Sequence, residues 1–271
     1  MPLLQQAGDR DHHLACIRRL TLGRRFRGQQ PGAADRQRAE TTKGAEKICH
    51  GWSDPRGVFP MQIDEWLETY TGGAFETNAF LADLPEGRIL VDAPEGVAAW
   101  AARLGARIDL LFLTHGHFDH TWDAARIVRE HGCPVLCHAD AVPMVTDRDF
   151  YPSRGFPFPI EPVTPTRLLG TSPDEPLLGQ HFQVLEVPGH CPGSLCLFDR
   201  KRRVLFGGDV LFAGGVGRWD LPGGDRDLLL TGIRDKLLPL GDEVVVLPGH
   251  GPATTIGDER RTNPYVAGPS R

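Results

Sequence analysis

Residues 113–120 read LTHGHFDH, placing three histidines and an aspartate in the six positions from His115 to His120. Imidazole and carboxylate are the ligand types of zinc, iron and manganese. The run that leads into them, IDLLFLTH (108–115), is almost wholly apolar, as expected for a strand buried on both faces. His115 and His117 therefore sit just past a strand end, and His120 opens the following helix. In a loop, H-x-H turns both rings toward one point, while Asp119 and His120 face a second point close by. A lone histidine is usually a hydrogen-bonded core or surface residue, and His131, His138 and His181 are read that way.

Working outward, three more ligand-type residues follow apolar runs with strand character. PGHCPGS (188–194) places His190 after the run 182–187, and FGGDV (206–210) places Asp209 after 203–207. LPGHG (247–251) places His250 after 244–247. Each is flanked by glycine, which lets backbone approach a crowded centre. Ligands at strand ends rest on a rigid scaffold while the adjoining loops meet substrate.

The order H-x-H-x-D-H, Gly-His, Gly-Asp, Gly-His resembles the metallo-β-lactamase superfamily over about residues 74–252. The resemblance implies an α/β fold, a four-layer αββα sandwich, for a catalytic domain over 61–271. It implies one metal held by His115, His117, His190 and Asp209, and a second held by Asp119, His120, His250 and the shared Asp209. Asp92, ending RILVDA (88–93), matches a family aspartate that braces the histidine loop. Two divalent ions are expected, zinc first, with iron and manganese as alternatives.

Two metals about 3.5–4 Å apart share a water and lower its pKa to about 7, giving a hydroxide nucleophile. Asp119 is the expected catalytic residue, orienting that hydroxide and taking its proton. Cys191, beside His190, is not needed as a nucleophile. Two divalent ions, two carboxylates and a hydroxide leave a formal charge of about +1, which favours an anionic substrate. Arg218, in GVGRWDLPGG (215–224), is the expected substrate-binding cation. GHCPGS, the Arg218 loop and the late TNPY (262–265) resemble the glyoxalase II-like hydrolases, which cleave thioesters such as S-lactoylglutathione. The small anionic thioester is the expected partner. Glyoxalase II proper adds a helical C-terminal domain, whereas twenty-one residues follow His250 here. Rival readings on the same scaffold are a persulfide dioxygenase using one iron at His115, His190 and Asp209, a lactonase or β-lactamase, and a non-catalytic relative.

Bulk composition fits these expectations. The 271 residues are 40% hydrophobic and 24% charged, and no apolar run nears the ~18 residues of a membrane span. The net charge of -5 gives no basic face for nucleic acid. Charge is uneven: residues 1–60 balance at +5 and the remainder at -10. The stretch GRRFRGQQPGAADRQRAETTKGAEK (23–47) has neither helical nor strand periodicity, so residues 1–60 are expected to be a disordered extension, with Met61 a candidate start. An export signal is not recognised there, so a cytoplasmic location with six reduced cysteines is expected.

Strands are expected over 74–84, 88–93, 108–115, 134–138, 182–187, 194–199, 203–209 and 243–250, and helices over 95–106, 120–132 and 227–238. The segment 139–147 reads as a broken helix. The Pro-rich stretch 150–180 reads as a long surface loop.

Overall fold

The computed structural model describes residues 65–267; the readings of residues 1–60 and of a Met61 start lie outside them. The chain lays down one sheet and then the other. β1 (Leu67–Gly72), β2 (Thr77–Leu84) and β3 (Gly87–Val91) form an antiparallel meander. β4 (Leu110–Phe112), β5 (Val135–His138) and β6 (Arg167–Leu169) then add in parallel, giving the order β1-β2-β3-β4-β5-β6. Parallel neighbours need crossovers, and α1 (Val97–Arg103), α2 (Phe118–Thr121), α3 (Ala124–His131) and α4 (Val142–Thr146) lie in them.

The second sheet takes β7 (Ser172–Leu177), β8 (Gln180–Glu186), β9 (Leu195–Asp199) and β10 (Val204–Gly208), each antiparallel to the last. A small hairpin of β11 (Leu211–Phe212) and β12 (Gly215–Val216) follows, then α5 (Arg226–Gly232), whose last turn widens into a π-helical stretch. β13 (Val245–Pro248) returns parallel to β10, β14 (Thr254–Thr255) closes the edge, and α6 (Ile256–Thr262) is the last described element. The order is β14-β13-β10-β9-β8-β7.

The two sheets face each other with helices outside, the expected αββα arrangement. Phe80 of β2 meets Phe206 of β10 between the sheets, ring centroids 5.7 Å apart. On the outer face of the first sheet, Leu90, Leu111, Leu113 and Val135 pack with Val97, Ala98 and Ala101 of α1 and Ile127 of α3. On the outer face of the second, Leu205 and Val246 pack with Leu229, Leu230 and Ile233. The period-2 alternation of Leu111, Phe112 and Leu113 thus serves two cores at once, which is why the run is apolar throughout. Each such side chain contributes about 1.5–3 kcal/mol by leaving water. α3 stops where expected, at Gly132, whose φ of 66° suits a residue without Cβ. The described cysteines, Cys133, Cys137, Cys191 and Cys196, are free and buried. Among the described residues no helix is long and apolar enough to cross a membrane.

Two expectations are corrected. The stretch 150–180 is not one long surface loop: it contains β6 and β7, and Tyr151, Ile160 and Val163 are buried against the first helical layer. β7 is an edge strand, where Pro173 and Pro176 cost no ladder bonds on the open side, so its prolines disguised it. The expected strand 74–84 starts later, at Thr77 after a turn over 73–76, and β1 before that turn was not expected. β1 is an edge strand with mostly polar or exposed positions, so it lacks the apolar signature of its neighbours.

Candidate metal centre

The seven expected ligand residues come together at one end of the two sheets. His115, His117, Asp119 and His120 follow β4, His190 follows β8, Asp209 follows β10 and His250 follows β13. Close backbone contact makes this convergence fit. A Cβ on Gly249 would lie 2.2 Å from Asp209 Oδ1 and 2.6 Å from His120 Cε1, so that position takes glycine alone.

Four imidazoles are pinned in the same manner. His120 Nδ1 donates to Asp92 Oδ2 at 2.8 Å, His190 Nδ1 to the Arg218 carbonyl at 2.8 Å, and His250 Nδ1 to the Phe75 carbonyl at 3.0 Å. His115 Nδ1 donates to Thr114 Oγ1 at 3.0 Å, and that hydroxyl in turn donates to Asp92 Oδ2 at 2.8 Å. With the proton of each ring on the nitrogen facing an acceptor, Nε2 keeps a lone pair aimed at the centre, the tautomer a metal ligand needs.

These inward-facing nitrogens crowd one another. His190 Nε2 lies 2.9 Å from His117 Nδ1, and His120 Nε2 lies 3.3 Å from His250 Nε2. Carboxylates enter the same space: His120 Nε2 is 3.3 Å from Asp209 Oδ1, and His250 Nε2 is 3.3 Å from Asp119 Oδ2 and 3.4 Å from Asp209 Oδ2. His115 Nε2 and Asp209 Oδ1 are buried without a hydrogen-bond partner. Orphaned buried polar atoms and nitrogens packed this closely are costly unless a proton or a metal ion lies between them. The donor set, imidazole with carboxylate, fits divalent transition ions.

Electrostatics divides the centre. Burial drives His115 well below the usual imidazole range, His117 down to about 3, and His190 down, helped in each case by neighbouring imidazoles. Burial also opposes charge on His120 and His250, yet Asp209 and Asp119 overcome it, lifting His120 well up and His250 to about 10. The carboxylates respond in kind. Against burial, His120 and His250 lower Asp119 to about 2 and hold Asp209 well below the carboxylate range. Protons on His120 and His250 thus offset the two acids, and divalent ions binding here would displace them.

The grouping differs in detail from the expected division. Asp119, His120 and His250 converge as one set, with Asp209 touching it, as expected. His115 lies between sets, converging with His120 and Asp209 and also with His117 and the thiol of Cys191. Cys191 is buried, and burial pushes its thiol up to about 12, which leaves it a poor nucleophile. Arg218 stands outside the ligand set. Its carbonyl holds His190, while its guanidinium forks onto Asp220 with both contacts at 2.8 Å.

Three supporting residues were not read from the sequence. Thr77 Oγ1 donates to Asp119 Oδ2 at 3.0 Å, Thr114 links Asp92 to His115, and Phe75 supplies the carbonyl for His250. The polar pair Thr77-Asn78 inside the apolar strand TNAFLADL was the available signal for the first. A backbone carbonyl leaves none. His131, His138 and His181 are engaged locally with Ile108 N, Asp140 N and Asp174, as expected of ordinary histidines.

With the geometry described, the comparisons can be placed. The family model of the metallo-beta-lactamase superfamily matches residues 72–250. Hydroxyacylglutathione hydrolase GloC of Haemophilus influenzae is 35% identical over 199 residues, covering 71% of this chain and 94% of the relative. Among solved structures, the BLEG-1 B3 metallo-beta-lactamase is 34% identical with a TM-score of 0.69, covering 74% of this chain and 100% of that one. TTHA1623, solved in a di-iron-bound form, is 38% identical with a TM-score of 0.65, covering 73% and 100%.

Proposed function

The chain belongs to the metallo-β-lactamase superfamily, and from that premise we propose that it is a binuclear, metal-dependent hydrolase of small anionic thioesters and related esters, glyoxalase II-like in its reaction. The observation that carries the reading is the completeness of the second ligand group: Asp119, His120 and His250 converge beside Asp209, so two ions have donors where a mononuclear oxygenase needs one facial set. Zinc is the proposed ion; the di-iron form of a 38% identical neighbour keeps iron in the test.

When bound, the ions supply a hydroxide at neutral pH and polarise the substrate carbonyl. The rest falls to the chain. His115, His117, His190 and Asp209 hold one position, and Asp119, His120, His250 and Asp209 the other. Asp119 stays ionised, with one oxygen fixed by Thr77, so it accepts the proton released as the C–O bond forms. The C–S bond breaks and the thiolate, a leaving group with a conjugate acid near pKa 8.5, needs little acid help before collecting that proton. Arg218, 42% exposed at the rim beside His190, exchanges Asp220 for an anionic group of the substrate.

A thioester panel on protein of measured metal content tests the reading. Hydrolysis of anionic thioesters without dioxygen uptake on glutathione persulfide supports it. Dioxygen uptake with one iron per chain, or turnover of β-lactams or lactones in preference to every thioester, contradicts it.

A further inference from the structure

Five aromatic rings gather beside the centre from three distant segments: Phe75 from the β1–β2 turn, Phe118 and Trp122 around α2, and Tyr151 and Phe158 from the Pro-rich segment. Phe158 stacks on Phe118 at 4.8 Å, 20° from parallel, and Phe75 meets Phe118 edge-on at 5.3 Å and Phe158 at 6.5 Å. Tyr151 closes on Phe118 at 5.4 Å, and Trp122 lies 6.4 Å from both Phe118 and Phe158.

The cluster adjoins the ligands directly. Phe118 stands between His117 and Asp119, and the Phe75 carbonyl receives His250 Nδ1–H at 3.0 Å. It is also more than core. Phe112, Phe182 and Phe206 are fully buried, whereas Phe75, Phe118, Trp122 and Phe158 each keep part of their surface in water. Several large rings left half-wet beside a polar centre mark a binding surface. Ligand-type side chains beside these rings reach solvent: His250 and Asp119 are 27% and 15% exposed, and His117 is partly exposed, against 0% for His120 and 3% for His190.

The wall is held in shape before any ligand arrives. The Tyr151 hydroxyl donates to the Gly116 carbonyl inside the histidine loop, and Phe158 is flanked by Pro157 and Pro159, which restrict its backbone. The guanidinium–ring contacts among the described residues fall on Phe150, Trp66, Phe198 and Trp219, and on none of these five rings. The opposite end differs, because His190 there is held by the backbone of Arg218. The aromatic rings thus flank the centre beside Asp119 and His250, while the loop that carries Arg218 meets it at His190.

We propose that Phe75, Phe118 and Phe158 form an acyl subsite that selects thioesters with a planar, apolar acyl group, the anionic thiol half lying toward Arg218. This rests on the thioester reading above and names its substrate class. Hydrolysis of such a substrate exchanges C–S for C–O, releasing an aryl or arylalkyl carboxylate and the thiol.

The test uses metal-loaded full-length protein and thioesters of one anionic thiol bearing acetyl, butyryl or phenylacetyl groups, with a mirrored set of acetyl thioesters of aliphatic and aryl thiols. The phenylacetyl ester should exceed acetyl by at least about tenfold in kcat/KM, the scale on which apolar pockets discriminate. Phe158→Ala should cut that ratio about tenfold, chiefly through KM, and Phe158→Leu, which keeps volume but not planarity, should fall between. A ratio unchanged in both variants overturns the proposal, as does a larger aromatic gain on the thiol side than on the acyl side. Calorimetric titration with phenylacetate against acetate separates the subsite from the reaction. If no thioester is hydrolysed, the functional reading fails, yet tighter phenylacetate binding that is lost in Phe158→Ala and weakened in Phe158→Leu still supports the wall. Equal binding of the two acids overturns it.

Discussion

Asp92 holds a left-handed backbone, φ 62°, that few residues other than glycine, asparagine and aspartate adopt without strain. The strain is matched by three contacts at 2.8 Å, from Thr114 N, Thr114 Oγ1 and His120 Nδ1, which make it the brace expected from the sequence. Asp92→Asn presents an NH2 where an acceptor is required, so His120 loses its tautomer lock. Metal affinity, measured by chelator competition, should fall about 10–100-fold; an unchanged affinity would mean the brace is dispensable. Arg218 is argued at the same scale. Arg218→Ala should leave metal content intact and raise KM for anionic thioesters by the equivalent of about 1.5–3 kcal/mol, with a neutral thioester far less affected. Equal losses on both would assign Arg218 to loop support, through the carbonyl that holds His190. The residues that converge at the candidate centre were legible because their side chains are chemically scarce and recur beside glycines at strand ends. Thr114 and the Phe75 carbonyl were not, because a hydrogen bond spanning 175 positions, as from His250 to Phe75, has no local signature.

Among the elements, β2 does more than fill the sheet. Asn78 Nδ2 donates to the carbonyls of Pro248 and Gly251, and its backbone N–H donates to Gly249 O at 2.7 Å, so the start of β2 is tied to the end of β13 across the two sheets. Thr77, one position earlier, pairs with His250 and holds Asp119. Asn78→Ala strips the buried Pro248 carbonyl and the more exposed Gly251 carbonyl of their donor, a loss of about 1–3 kcal/mol, or a Tm lower by about 3–10 °C. Thermal unfolding with and without metal reads it, and a Tm unchanged in both states would show the two sheets do not depend on this tie. Central strands and the helices α1, α3 and α5 were legible, since burial on both faces or a 3.6-residue stripe leaves a pattern. Edge strands β1 and β7 were hidden, because half their surface meets water and β7 tolerates proline there.

For the molecule as a whole, the charge boundary near residue 60 separates a basic stretch from an acidic domain. Every residue assigned a role here lies between Phe75 and His250. A chain starting at Met61 is therefore expected to keep its melting temperature within about 2 °C and its thioester turnover; a drop of about 5 °C or more would show that residues 1–60 stabilise the domain. The four-layer order could be anticipated from alternating strands and helices. The aromatic wall could not, because it depends on Phe75, Phe118 and Phe158 meeting only in the folded chain. The central claim is that two metal ions act together on one thioester bond. Its most direct measurement is titration of metal-depleted protein with zinc, following bound metal and thioester hydrolysis together. Activity should climb to a plateau at two ions per chain, and Asp209→Ala should lose most of both signals. Full activity at one ion, or two ions retained by Asp209→Ala, would contradict the account.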